Sequence, residues 1–212
     1  MLQFITHPSD SMTIIDEIRS VVAGGCGWVQ LRMKDASPEE IIAVAKEAKK
    51  ICKEADCILI IDDYPDIAKE LELDGVHLGK NDMSPTEARE LLGEEYIIGA
   101  TANTFDDIEA LRHLDIDYIG LGPYRFTATK QRLSPVLGID GYRRIMQQMK
   151  DASINIPVVA IGGITYDDIP SLMDSGVRGI AVSGSLINAD NTTAETQKMI
   201  TLLEEIIQKK LQ

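Results

Sequence analysis

Cysteine is scarce in this chain: Cys26, Cys52 and Cys57 are the only three, they form no C-x-x-C pair, and their odd number argues against a disulfide framework. The simple reading is a reduced, cytoplasmic protein whose thiols serve as small core residues. Long apolar runs are missing too. No stretch reaches the roughly 18 apolar residues of a membrane span. The opening MLQFITHPSDSM lacks the basic-then-apolar pattern of an export signal, so the expectation is a protein neither membrane-bound nor exported. Positive charge is also short, with 21 Lys and Arg against 34 Asp and Glu for a net −13. Such a surface repels nucleic acid and anionic lipid unless basic residues cluster, and Lys49-Lys50 and Lys209-Lys210 are only isolated pairs. Neither is expected as a partner, and the macromolecular partner left open is a further copy of the chain. An anionic ligand would need cations or backbone N–H groups gathered at one place against the overall field. Finally, no Gly/Ser linker, low-complexity tract or break in composition divides the 212 residues, so residues 1–212 are expected to form one domain.

What is present is a regular alternation of short apolar, β-rich runs with helix-periodic segments. The strand candidates are Leu2–Thr6, Trp28–Arg32, Ile58–Asp62, Gly75–Leu78, Ile97–Ala100, Tyr118–Gly122, Pro157–Ile161 and Gly179–Ser183. Each is nearly continuously apolar, as expected of parallel strands covered by helices. Ser37-Pro38-Glu39-Glu40 and Ser84-Pro85-Thr86-Glu87 supply a Ser N-cap, Pro at the first helical position and Glu three after the cap. Thr165 with Asp168 is a weaker version. Ile14, Ile15, Ile18, Val21 and Val22 repeat at helical spacing, as do Met199, Leu202, Leu203 and Ile206. Strand and helix in alternation imply an α/β protein with a parallel sheet. Eight such units in this length predict a small (β/α)8 TIM barrel, a fold that averages roughly 250 residues. An open doubly wound sheet is the rival, but the first strand-to-helix turn, Thr6-His7-Pro8-Ser9-Asp10, has no glycine-rich dinucleotide fingerprint.

In a barrel the strand C-termini converge on one rim, where active sites lie. The second strand ends Gln30-Leu31-Arg32-Met33-Lys34, and alternation points Gln30 and Arg32 to the same side with Lys34 just above. An Arg can take phosphate through two N–H groups while a Lys adds a point charge; rim salt bridges are the bland alternative. The third strand closes on Asp62-Asp63, and adjacent carboxylates there are costly unless they meet a cation or several donors. Asp82 follows the fourth strand, so Asp63 and Asp82 leave neighbouring strands and could share a Mg²⁺, which takes one or two carboxylates plus water and phosphate oxygens. Each alone reads as a helix cap or surface residue. His77, among apolar neighbours, reads as a hydrogen-bonded core histidine. After the sixth strand comes Gly122-Pro123-Tyr124-Arg125-Phe126-Thr127-Ala128-Thr129-Lys130, the start of the longest irregular stretch, whose hydroxyls and Lys130 suit an anionic oxygen cluster. Gly162-Gly163 and Ser183-Gly184 end the seventh and eighth strands, the recurrent phosphate-binding loops of this barrel class. Two anion sites on one rim imply two phosphorylated substrates.

Taken in order, QLRMK, DGVHLGKNDM, GPYRFTATK, VVAIGGI and VSGS resemble the motifs of the thiamine-phosphate synthase family over nearly the whole chain. The resemblance implies a Mg²⁺-dependent transferase. It joins 4-amino-2-methyl-5-hydroxymethylpyrimidine diphosphate to 4-methyl-5-hydroxyethylthiazole phosphate, giving thiamine phosphate and pyrophosphate. By similarity, Gln30, Leu31, Arg32, Met33, Lys34, Asp62, Thr101 and Lys130 would hold the pyrimidine diphosphate, with Arg32, Lys34 and Lys130 meeting the charge of the departing pyrophosphate. Asp63 and Asp82 would hold Mg²⁺, and Thr127, Ala128, Thr129, Gly163, Ser183 and Gly184 the thiazole phosphate.

Two departures stand out. The family usually has Asn-Asp-Arg after strand three, where this chain has Asp62-Asp63-Tyr64. The extra carboxyl of Asp62 is expected to coordinate metal or to stay protonated. Thr101 stands where the family often has Ser, which keeps the hydroxyl. Rival readings are the related thiazole tautomerase, which typically has a histidine near the position of Asn103, and a silent barrel that only binds thiazole phosphate.

Overall fold

The structure is a computed structural model that describes residues 1–126 and 135–211. Eight parallel strands close into a barrel in sequence order: β1 (Leu2–Ile5), β2 (Trp28–Leu31), β3 (Ile58–Asp62), β4 (Gly75–Leu78), β5 (Ile97–Ala102), β6 (Tyr118–Leu121), β7 (Val158–Ile161) and β8 (Gly179–Val182). The last strand pairs with the first through Leu2 and Ile180, so no edge is left open. Helices α1 (Ile14–Ala23), α2 (Pro38–Glu54), α3 (Pro65–Glu70), α4 (Pro85–Leu92), α5 (Phe105–Leu111), α6 (Gly138–Asp151) and α7 (Ile169–Asp174) return the chain outside the barrel. After β8 come α8 (Gly184–Ile187) and the long α9 (Thr192–Lys210). No helix among the described residues is long and apolar enough to cross a membrane.

The expected start signals act as such. Ser37 and Ser84 each accept from the backbone N–H three residues on, while Glu40 and Glu87 reach back to the cap N–H. Thr165 and Asp168 form the same box, but it opens a 3-10 turn over Tyr166–Asp168 that only then passes into α7. Several strands are one residue shorter at the rim than their apolar runs. At the first two, the hydroxyl of Thr6 donates to Arg32 O (3.0 Å) and accepts from Arg32 N–H (2.8 Å), a side-chain bridge in place of ladder pairing.

Alternation along each strand sorts residues into two cores. Outside the barrel, Phe4, Val29, Leu59, Val76, Ile98 and Ile119 meet the helices, with Cys26 and Cys52 packed as small apolar groups. All three cysteines are buried free thiols. Inside, Ile5, Trp28, Ile60, Tyr118, Val159 and Ala181 form a separate cluster. Two glycines make room there. A Cβ on Gly99 would lie 2.2 Å from the Tyr118 ring, and one on Gly120 would lie 2.8 Å from His77 Cε1. Glycine on β5 and β6 is thus what admits two large rings to a narrow barrel.

Helix α1 departs from its expected apolar face. Ile18 and Val21 are buried, but so is Glu17, while Ile14, Ile15 and Val22 are only partly covered. Glu17 Oε2 accepts from His7 N–H at 3.3 Å and tethers the loop after β1, whereas Oε1 has no partner among the described residues. Burial pushes this carboxyl up to about 7. A carboxyl raised in the folded state adds stability below its unfolded value and loses it as pH rises from about 4.5 to about 7. Glu17→Gln is therefore expected to match the native protein at pH 4 and to exceed its stability at pH 8, by up to about 3 kcal/mol. Urea unfolding at the two pH values measures this.

Candidate active site

The rim above β2 and β3 is built on a buried ion pair. Asp62 ends β3 only 8% exposed, where Gln30 Nε2 donates to its Oδ1 (2.6 Å) and Arg32 Nε lies 3.3 Å from its Oδ2. Burial pushes the Asp62 carboxyl above the usual range, and the charges of Arg32 and Lys34 and the Gln30 hydrogen bond pull against it. Asp62 is thus engaged at both carboxylate oxygens, by Gln30 and by Arg32. It is the floor on which Arg32 is fixed.

Asp63 follows Asp62 in an unusual backbone conformation. Its φ is 70°, in the left-handed region, at a cost of order 1 kcal/mol that Asp tolerates better than most residues. Its N–H donates to His77 O (2.9 Å), and its side chain lies within 3.8 Å of Lys34 Nζ. Asp82 arrives from the loop after β4, its Oδ2 accepting from Gly79 N–H at 2.6 Å. Both carboxylates lie over Gly79: a Cβ there would be 2.7 Å from Asp82 Oδ2 and 4.0 Å from Asp63 Oδ1. Burial first, then the charges of Asp62 and Asp82, pushes Asp63 up to about 7. Two acidic groups forced together at an open rim repel each other, and a bound cation would relieve that repulsion. No cluster of three or more His, Cys, Asp or Glu that could hold a metal occurs among the described residues. Mg²⁺ requires only one or two carboxylates, so the pair fits it. Tyr64, the other departure, packs half-buried against the outer core.

Below the rim a chain of hydrogen bonds crosses the barrel interior. Asp62 is held by Gln30, whose Oε1 accepts from Gln3 Nε2 (3.2 Å); Gln3 Nε2 also donates to Tyr118 Oη (3.3 Å). Tyr118 Oη lies 2.8 Å from His77 Nδ1, and His77 Nε2 lies 2.9 Å from Thr101 Oγ1. With Gln3 as donor, the phenol proton goes to Nδ1, the His77 proton sits on Nε2, and the Thr101 hydroxyl proton is left to face the rim. His77 is the hydrogen-bonded core residue its surroundings suggested, and it sets the direction of Thr101. Tyr118→Phe would strand Gln3 and His77 in the interior. It is expected to cost about 1–3 kcal/mol in urea unfolding, the usual penalty for unsatisfied buried groups.

The opposite side of the rim is made of backbone. β7 and β8 pair Ile161 with Ala181, and Gly163 and Ser183 each follow two residues beyond that last pair. Gly162 and Gly163 are both left-handed, with φ of 98° and 69°. Gly184 opens α8, whose first N–H groups have no intrahelical acceptor. The hydroxyls of Ser183 and Ser185 are buried without partners among the described residues. Amides at a helix start and hydroxyls without partners are groups that an anion would satisfy. Thr127, Ala128, Thr129 and Lys130, which follow β6 in the sequence, fall outside the described residues.

The structure thus gathers Gln30, Arg32, Lys34, Asp62, Asp63, Asp82 and Thr101 after β2 to β5, and Gly163, Ser183 and Gly184 after β7 and β8. Leu31 turns its side chain into the outer core, and Met33 packs half-buried against that core. Asn103 is committed elsewhere, its Nδ2 donating to Gly122 O (2.5 Å). Sequence reasoning passed over Gln3 and Tyr118, whose signal was a polar and an aromatic residue at inward strand positions. It also passed over the pairing of Arg125 with Asp168.

Comparison with known proteins adds the following. A family profile described as thiamine monophosphate synthase matches residues 2–186. The thiamine-phosphate synthase of Bacteroides thetaiotaomicron is 53% identical over 201 residues, covering 95% of this chain and 96% of that protein. That of Bacteroides fragilis is also 53% identical over 201 residues, covering 95% and 98%. Among solved structures, thiamine phosphate pyrophosphorylase from Pyrococcus furiosus superposes with a TM-score of 0.85 at 30% identity, covering 97% and 96% of the two chains.

Proposed function

The chain belongs to the thiamine monophosphate synthase family, and we infer that its two rim seats divide that reaction's two substrates between them. The activity is thiamine-phosphate synthesis, a transfer in which the pyrimidine methylene bonds to the thiazole nitrogen as pyrophosphate departs. The single observation that supports the division is the contrast between the seats. One gathers cationic and acidic side chains, the other backbone amides and hydroxyls.

On this reading the pyrimidine diphosphate lies across β2 to β5. Arg32, clamped by Asp62, and Lys34 meet the negative charge that grows on the leaving pyrophosphate, with Lys130 assigned the same task by its place in the TxTK motif. The backbone of Leu31 and Met33 lines the approach, since the Leu31 side chain is spent in the core. Thr101, aimed by His77, donates to an acceptor on the pyrimidine ring. Asp63 and Asp82 would hold Mg²⁺, which supplies Lewis-acid neutralisation of diphosphate charge. The thiazole phosphate is seated on Gly163, Ser183 and Gly184, with Thr127, Ala128 and Thr129 assigned to it by their place in the TxTK motif. Two rings fixed by their phosphates at opposite ends are brought to reacting distance without a general base. The commitment of Asn103 to a backbone carbonyl, where the tautomerase would present a histidine, disfavours isomerisation. The reduced thiols agree with a cytoplasmic setting.

The division is testable by binding alone. Inorganic pyrophosphate should bind tightly only with Mg²⁺ present, and Asp63→Asn/Asp82→Asn should abolish that dependence while leaving thiazole phosphate affinity within twofold. Loss of both affinities together would contradict the assignment of separate seats.

A further inference from the structure

The Gly162-Gly163 turn carries the backbone seat, yet two consecutive left-handed glycines have little stiffness of their own. What holds them comes from the neighbouring strand's loop. Tyr124 N–H donates to Ile161 O and Arg125 N–H to Gly162 O, both at 2.9 Å. The Arg125 side chain then reaches over: one terminal nitrogen donates to Gly163 O (2.5 Å) and to Asp168 Oδ2 (2.8 Å), the other to Asp168 Oδ1 (2.8 Å). Asp168 is itself fixed, accepting from Thr165 N–H (2.9 Å) and from the Thr165 hydroxyl (2.8 Å). The guanidinium lies 5.0 Å from the centre of the Tyr124 ring.

In a trans peptide the C=O and the following N–H point in opposite directions. A donor on Gly162 O therefore turns Gly163 N–H away from Arg125, and a donor on Gly163 O does the same for Ile164 N–H. Arg125 holds two successive peptide planes of the seat, one through its own backbone and one through its side chain. We propose that Arg125 is a positioning residue for the thiazole phosphate, acting through the Gly162-Gly163 turn without touching the ligand. Its terminal nitrogens are already occupied by Asp168 and Gly163 O, so it serves as a brace and the amides do the binding. Only a planar fork spans both acceptors at once; a Lys ammonium does not reproduce it. This inference rests on the assignment of Gly163 to the thiazole phosphate.

The test is calorimetric titration of 4-methyl-5-hydroxyethylthiazole phosphate into the native protein, Arg125→Ala and Arg125→Lys, beside steady-state kinetics of each. Arg125→Ala is expected to raise the dissociation constant and KM for thiazole phosphate about tenfold, equivalent to about 1.4 kcal/mol. The KM for the pyrimidine diphosphate should stay within twofold. Arg125→Lys, which keeps the charge, should recover little of the loss. Unchanged thiazole phosphate binding in Arg125→Ala would overturn the inference, as would equal weakening of both substrates or full recovery by Lys. If the native protein itself did not bind thiazole phosphate, the seat assignment would fall and the inference with it.

Discussion

Asp82→Ala is expected to slow thiamine phosphate formation on the order of 100-fold while leaving the melting temperature within a few degrees of the native value. Both halves come from the same geometry. The Asp82 side chain is exposed and accepts from Gly79 N–H, so water can take its place in the fold. Its value lies in standing with Asp63 over Gly79, a juxtaposition whose repulsion already raises the Asp63 carboxyl. Without Asp82 the Asp63 carboxyl should come down in part, since burial and the Asp62 charge still raise it. Removing one of two carboxylates weakens the proposed Mg²⁺ seat, and saturating Mg²⁺ should recover part of the lost rate. A drop in rate that no Mg²⁺ concentration relieves would instead assign Asp82 to direct substrate contact.

Arg32→Ala should be the more damaging substitution, because it strikes fold and chemistry together. Asp62 is buried against Arg32 and Gln30, and loss of the guanidinium leaves a carboxyl with one neutral donor. Breaking a buried pair from one side costs about 3–5 kcal/mol. The Asp62 carboxyl can take up a proton, so about 3 kcal/mol is the expected figure. Protonation also gives the loss a pH signature. A carboxyl whose folded value is raised costs nothing below its unfolded value, so the penalty should shrink toward pH 4 and grow above it. Adding Asp62→Asn to Arg32→Ala should restore most of the stability, since an amide needs no counter-charge. It should not restore turnover, because the cation proposed to meet pyrophosphate is still missing. Urea unfolding and initial rates on the two variants separate the contributions. Equal recovery of both would mean that Arg32 acts only as a structural partner of Asp62.

How far the site could be read in the sequence followed from where each signal resides. The eight strands were legible because parallel barrel strands are apolar on both faces, and each run has little competing polar content. Gly163, Ser183 and Gly184 were legible because small residues at the ends of the last two strands have a fixed place in the barrel. Asp62-Asp63 was visible as an anomaly but not as a solution. The left-handed backbone of Asp63 leaves no mark in a sequence where Asp is otherwise ordinary. Gln3, His77 and Tyr118 are distant in the chain and meet only because β1, β4 and β6 face a common interior, so no local spacing reports them. Arg125 and Asp168 are likewise joined only by closure of the barrel, which sets the loops after β6 and β7 beside each other.

The central claim is that one rim holds two different phosphorylated substrates and joins them. The most direct measurement mixes the protein with both substrates and Mg²⁺ and follows thiamine phosphate and pyrophosphate together. The expected result is their release in equal amounts, dependent on both substrates and abolished by chelating the metal. Thiazole phosphate bound at its seat with neither product formed would contradict the account and leave only a binding barrel.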